Sequence, residues 1–101
     1  MDDEEIDGEE PREQILEKLR AAWMAGWKAS GQAFNEMIGD LIGSEELEQA
    51  FDNARLLATF RGRGQQPTYV LQGGSEEGGR VCLLCRVKSQ RVLIEHVFRT
   101  L

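Results

Sequence analysis

The sequence predicts an α+β fold in which two or three N-terminal helices pack on a C-terminal three-stranded antiparallel β-meander. Apolar residues recur at helical spacing through the first part of the 101 residues. Stretches of strand length, rich in β-branched and apolar residues, follow in the last part, namely TYVLQ, RVCLLCRVK and RVLIEHVFRT. The length and the hydrophobic fraction of 41% suit one globular domain, which we expect over residues 11–101.

The first ten residues, MDDEEIDGEE, hold seven acids and one large apolar residue besides Met1. Such a segment cannot bury enough surface to offset the entropy of ordering, so we predict a disordered acidic tail over residues 1–10. Its charge differs from the basic start of a signal or transit peptide, and no apolar run approaches the length needed to span a bilayer. We therefore expect a cytoplasmic protein that does not bind membranes.

The first helix is predicted to begin at Pro11, which suits the first helical position. An apolar stripe then follows at helical spacing, made of Ile15, Leu19, Trp23 and Trp27. Trp23 and Trp27 are candidate binding residues that could stack on a ligand or a base, although aromatic residues at this helical spacing are more often anchors for the core or for a partner helix. Alanines recur at four-residue intervals beside the stripe, which would let another helix approach closely and makes a homodimer one expectation.

A second helix is predicted from Ser44, a good N-cap, to about Thr59. The segment RGRGQQP that follows has the composition of a basic turn, and it contributes Arg61 and Arg63.

The strands RVCLLCRVK and RVLIEHVFRT are separated by Ser89 and Gln90, which predict a two-residue hairpin turn. The resulting register sets the following pairs opposite each other: Val87 with Val92, Cys85 with Ile94, and Leu83 with His96. Because side chains alternate along a strand, Cys82 and Cys85 should point to opposite faces, too far apart for a disulfide or a shared zinc ion. The sequence predicts no metal and no other cofactor.

Charge is divided unevenly along the chain. Residues 1–60 hold 15 acidic and 5 basic residues, a net charge of −10, whereas residues 61–101 hold 3 and 7, a net charge of +4. One face of the predicted hairpin carries Arg80, Arg86 and Arg99, with Arg80 directly opposite Arg99. Together with Arg61 and Arg63 these form a candidate basic face for a phosphate, RNA or an acidic segment, including the chain's own tail. Separate solvated arginines are the alternative.

These observations favour a small regulatory or protein-interaction module without catalysis, because the chain offers one histidine and two divergent cysteines rather than a convergent set of catalytic groups. Its partner is expected to be a protein, with nucleic acid as the alternative. The segment RVCLLCRVKSQRVLIEHVFR, after two helices, resembles the C-terminal hairpin of RelE/ParE-type toxins. That resemblance implies a ribonuclease in which Arg80 holds phosphate and His96 or Arg99 assists RNA cleavage.

Overall fold

The computed structural model describes residues 11–61, 66–75 and 79–100. Within these ranges there are three helices, α1 (Arg12–Ala25), α2 (Gly31–Gly39) and α3 (Ser44–Asp52), and five strands, β1 (Trp27–Ala29), β2 (Arg55–Phe60), β3 (Thr68–Ser75), β4 (Gly79–Lys88) and β5 (Arg91–Thr100). The α+β class is confirmed. The three-stranded antiparallel meander is wrong, because the sheet is mixed and five-stranded, in the order β1-β5-β4-β3-β2, with β1 parallel to β5. The predicted disordered tail, residues 1–10, lies outside the described residues.

Helix α1 ends at Ala25 and is followed by Gly26, whose φ of 144° is rarely adopted by residues with a side chain. The Arg91 side chain also passes over this glycine, with Cδ 3.3 Å from where a Cβ would lie. Beyond it the main chain joins the sheet, because the Val92 amide donates to the Gly26 carbonyl at 3.1 Å. Trp27 therefore belongs to strand β1. The prediction that Trp27 continues the apolar stripe of α1 is wrong.

Helix α3 ends at Asp52, so the prediction of a helix reaching Thr59 is wrong. The residue after it, Asn53, bonds across to strand β3: its Oδ1 accepts from the Gly74 amide at 2.8 Å and its Nδ2 donates to the Gly74 carbonyl at 3.0 Å. These two hydrogen bonds to β3 direct the following residues into the sheet. Leu56 is then buried as part of strand β2.

The hairpin of β4 and β5 turns at Ser89 and Gln90, whose φ angles of 53° and 66° suit a two-residue turn. The predicted pairs near this turn are confirmed, namely Val87 with Val92 and Cys85 with Ile94. Farther along, a register shift places Glu95 as an extra residue, so Leu83 pairs with Val97 instead of His96. Sequence periodicity carries no signal for this bulge.

The three helices pack on one face of the sheet. Glycine at position 73 permits the closest approach, because a Cβ there would lie 1.8 Å from the main-chain oxygen of Ala50 in α3. The core between the layers contains fully buried aliphatic side chains, among them Leu19, Leu47, Leu71, Leu83, Ile94 and Val97. In the described part of the chain, no helix has the length and apolar character to cross a bilayer.

Candidate functional site

The face of the sheet opposite the helices has no layer packed on it among the described residues, and we call it the open face. Strand alternation and the register assign its side chains. Its middle is mostly apolar, and we call these side chains the apolar centre: Ala58, Val70, Cys82, Leu84 and Leu93. The polar Gln72 and His96 lie beside Cys82 and Leu84 on the same face. Basic residues lie on both sides of it, Arg55 and Arg80 at one end and Lys28, Arg86, Lys88 and Arg91 at the end with the hairpin turn.

The apolar centre is a continuous surface, because Val70 of β3 lies directly beside Leu84 of β4. Most of its side chains are partly exposed, while Cys82 is buried. Phe60 and Phe98 lie at opposite corners of the open face, where 60% and 41% of their surface is exposed. The centre therefore offers aliphatic surface, and the aromatic rings are separated from each other.

The cations at the turn end surround a shallow cleft of about 510 Å³ lined by Lys28, Lys88 and Arg91. No ion pair joins any of these three side chains to another described residue. Arg86 differs, since its Nη2 lies 2.8 Å from Oε2 of Glu95, the one carboxylate on the described open face. The end of the face near the turn thus has a surplus of positive charge.

Arg99 lies on the helix side and not on the open face. Its Nη1 and Nη2 donate to the two carboxylate oxygens of Glu46, at 2.6 and 3.1 Å, and this hydrogen bonding raises the pKa of Arg99. The prediction that Arg99 stands opposite Arg80 is wrong, because the bulge shifts the register and pairs Arg80 with Thr100. Arg80 and Arg86 remain on the basic face, and Arg99 instead ties the sheet to α3.

Helix α2 covers the part of the β5 edge that does not pair with the short strand β1. Oε1 of Glu36 accepts from the Val97 amide at 2.9 Å, and Oδ2 of Asp40 accepts from the Arg99 amide at 3.0 Å. Oε2 of Glu36 also lies 3.1 Å from Nδ1 of His96. Partial burial alone would raise the pKa of Glu36, but the bonds from Val97, His96 and Gln32 outweigh it and lower that pKa. The edge amides are thus satisfied by carboxylates, which protects the edge from pairing with another strand.

Trp23 and Trp27 stack on the helix side of the sheet. Their rings lie 5.1 Å apart and nearly parallel, and Phe51 of α3 stacks on the other face of Trp23 at 3.9 Å. Nε1 of Trp27 donates to Glu48 at 3.4 Å. Both tryptophans are half-buried against the core, away from the open face. Self-association through this region stays a prediction.

The two cysteines lie on opposite faces of β4, as their spacing predicts, and both are free thiols. Burial raises the pKa of Cys82, and it raises the pKa of Cys85, on the covered face, to about 12 with a contribution from Glu95. Among the described residues, no three His, Cys, Asp or Glu side chains are grouped to hold a metal ion.

The residues singled out by the toxin resemblance do not converge. Arg80 is exposed on the open face, the Arg99 guanidinium is bound to Glu46 on the other face, and His96 contacts Glu36 at the edge of β5. Arg61 is exposed directly after β2. Arg63 lies outside the described residues.

Sequence reasoning missed several cations of the open face. Lys88 and Arg91 flank the predicted turn, so strand alternation could have found them. Lys28 and Arg55 carried no such signal, because β1 and β2 were expected to be helical.

Comparison of the chain with protein-family models, with curated proteins and with solved structures gives no significant match. The grounds for a functional assignment are therefore the two-layer α+β fold and the chemistry of the open face.

Proposed function

We propose that this protein is a non-catalytic binding module whose open face takes an extended acidic segment of a partner protein. The observation that carries the proposal is the uncovered face itself, where an apolar centre lies between two groups of cations. Among the described residues, Glu95 is the one carboxylate on this face. Positive charge at both ends of the open face and an aliphatic middle would select a segment with acids on both sides of an aliphatic residue.

The expected affinity follows from these contacts. Burying one aliphatic side chain on the apolar centre contributes about 1.5–3 kcal/mol. Each ion pair between exposed groups contributes about 0.2–1 kcal/mol, and salt screens it. Since ordering the segment opposes binding, we expect a weak complex with a dissociation constant of about 10 μM to 1 mM.

The aliphatic centre favours a peptide over a nucleic acid. Single-stranded nucleic acids bind chiefly by stacking bases on neighbouring aromatic rings above a basic surface. The two exposed phenyl rings of this face, Phe60 and Phe98, lie at opposite corners, and aliphatic side chains such as Val70 and Leu84 lie between them. A leucine or isoleucine of an extended peptide fits this surface better.

The proposal is tested by the fluorescence anisotropy of a labelled ten-residue peptide of Asp and Glu around a central Ile. Lys88→Glu and Arg80→Glu, one from each end of the face, should each weaken binding to the full chain about fivefold or more. Arg20→Glu makes the same charge change on the exposed side of α1 and should weaken binding less than twofold.

Three results would overturn the proposal. These are no binding of the peptide at low salt, an equal loss in all three variants, or tighter binding of a single-stranded RNA oligonucleotide than of the peptide. The last result would assign the open face to nucleic acid.

A further inference from the structure

The chain's own first ten residues have the pattern that the open face selects. They read MDDEEIDGEE, with four acids before Ile6 and three after it. The open face has the complementary order, since its apolar centre lies between two groups of cations. An isoleucine on the centre would place acids at both ends.

The described structure shows that this segment starts within reach of the face. Nη1 of Arg12 donates to the Leu56 carbonyl at 2.8 Å, so α1 begins beside β2, the edge strand of the sheet. Ala58, the member of the apolar centre on β2, lies two residues from Leu56 on that edge strand, and Val70 is its neighbour on β3. The five Cα-to-Cα steps from Ile6 to Pro11 span up to about 17 Å when extended. Passing around the β2 edge from the helix side, Ile6 can therefore reach the apolar centre at Ala58 and Val70, and residues before it can reach the cations beyond.

The other side of the molecule repels such a segment. The three helices hold seven acidic and three basic residues, whereas the five strands hold one acidic and seven basic residues. Of those seven strand cations, six lie on the open face and only Arg99 is turned toward the helices. Charge thus directs an acidic segment toward the open face.

We propose that residues 2–10 occupy the open face in cis and compete there with the acidic segment of a partner. This inference rests on the proposed function, and it makes the N-terminal segment an autoinhibitory arm. A segment tethered this close has an effective concentration in the millimolar range. That concentration exceeds the dissociation constant expected for a similar peptide, so a partner meets a face that is mostly occupied.

Zero-length cross-linking of the full chain by a carbodiimide tests the contact directly. The chain has three lysines, of which Lys28 and Lys88 lie on the open face and Lys18 lies on α1. Carboxylates of residues 2–10 should join Lys28 or Lys88, as read from the masses of tryptic peptides. Lys18 is the nearest lysine along the chain, so cross-links mainly to Lys18 would overturn the inference.

Competition is tested with the labelled peptide and a variant carrying Asp2→Asn, Asp3→Asn, Glu4→Gln and Glu5→Gln. This variant should bind the peptide about fivefold tighter than the wild-type chain, because fewer acids compete for the cations. The matched control changes four exposed helix acids to amides, namely Glu13, Glu17, Glu45 and Asp52, and should alter binding less than twofold.

The outcomes separate the two ideas. Unchanged binding in the Asp2–Glu5 variant, or an equal gain in the control, would overturn the inference while Lys88→Glu still tests the proposed function. Failure of the Asp2–Glu5 variant to bind the peptide at all would overturn the proposed function itself.

Discussion

The two faces of the sheet are built from the same strands and yet differ in almost every property. In β4, Val81, Leu83 and Cys85 point under the helices and are buried, while Arg80 and Leu84 alternate with them on the open face. Charge follows the same division, with acids gathered on the helices and bases on the strands. Alternate residues of one strand can therefore serve two purposes, and substitutions should affect either stability or binding but seldom both.

The β5 edge of the sheet is covered by the helix layer, whereas the open face is not. On β5 the helix layer reaches around the edge and its carboxylates accept hydrogen bonds from strand amides. The described residues show no equivalent cover over the open face, whose apolar centre remains partly exposed. A sheet face left open in this way, with charge on both sides of the apolar surface, is typical of a binding surface.

The largest difference between the faces is expected for two adjacent leucines of β4. Leu83 is fully buried under the helices, so Leu83→Ala should lower the free energy of unfolding by about 3–4 kcal/mol. Leu84 is partly exposed on the open face, and Leu84→Ala should cost about 1 kcal/mol or less while weakening peptide binding. Urea unfolding measures both, and equal losses would show that the open face is buried in the folded protein.

Two adjacent glycines of β3 sharpen the same comparison. A methyl group at Gly73 would meet the main chain of α3, 1.8 Å from the Ala50 oxygen, so Gly73→Ala should destabilise the protein by about 2–3 kcal/mol. At Gly74 the nearest atom to an added Cβ is the Gly79 oxygen at 3.9 Å, an ordinary contact. Gly74→Ala should change stability by less than about 0.5 kcal/mol. Thermal unfolding that ranks them in the opposite order would contradict the close packing of α3 on β3.

The smallest effect is expected at the covered edge, where Glu36→Gln keeps an acceptor for the Val97 amide but removes the charge. The cost should be about 1 kcal/mol at neutral pH, because hydrogen bonds to a carboxylate are stronger than those to an amide. The pKa of Glu36 is lowered in the folded state, so its charge stabilises the fold above the ordinary value of 4.5. The difference between variant and wild type should shrink as pH falls through the lowered pKa. A difference that stays constant from pH 7 to pH 3 would exclude a role for this charge.

Some features of the fold and of the site could be predicted because they depend on neighbours in the sequence. The turn at Ser89 and Gln90, the pairs next to it and the opposite orientation of Cys82 and Cys85 all follow from strand alternation. The placement of Arg80 and Arg86 on one basic face follows from the same rule. It fails for Arg99, since the bulge at Glu95 reverses the alternation beyond it.

By itself, then, the sequence determined the α+β class, the hairpin and the concentration of positive charge toward the C-terminal end. Only the tertiary structure decided that Trp27–Ala29 and Arg55–Phe60 are strands, since their short apolar patterns also suit a helix. The deciding hydrogen bonds come from residues far along the chain: Val92 donates to Gly26, and Gly74 bonds to Asn53. The same long-range pairing placed Lys28 and Arg55 on the open face. No local pattern encodes such contacts, because they form only when distant segments pack together.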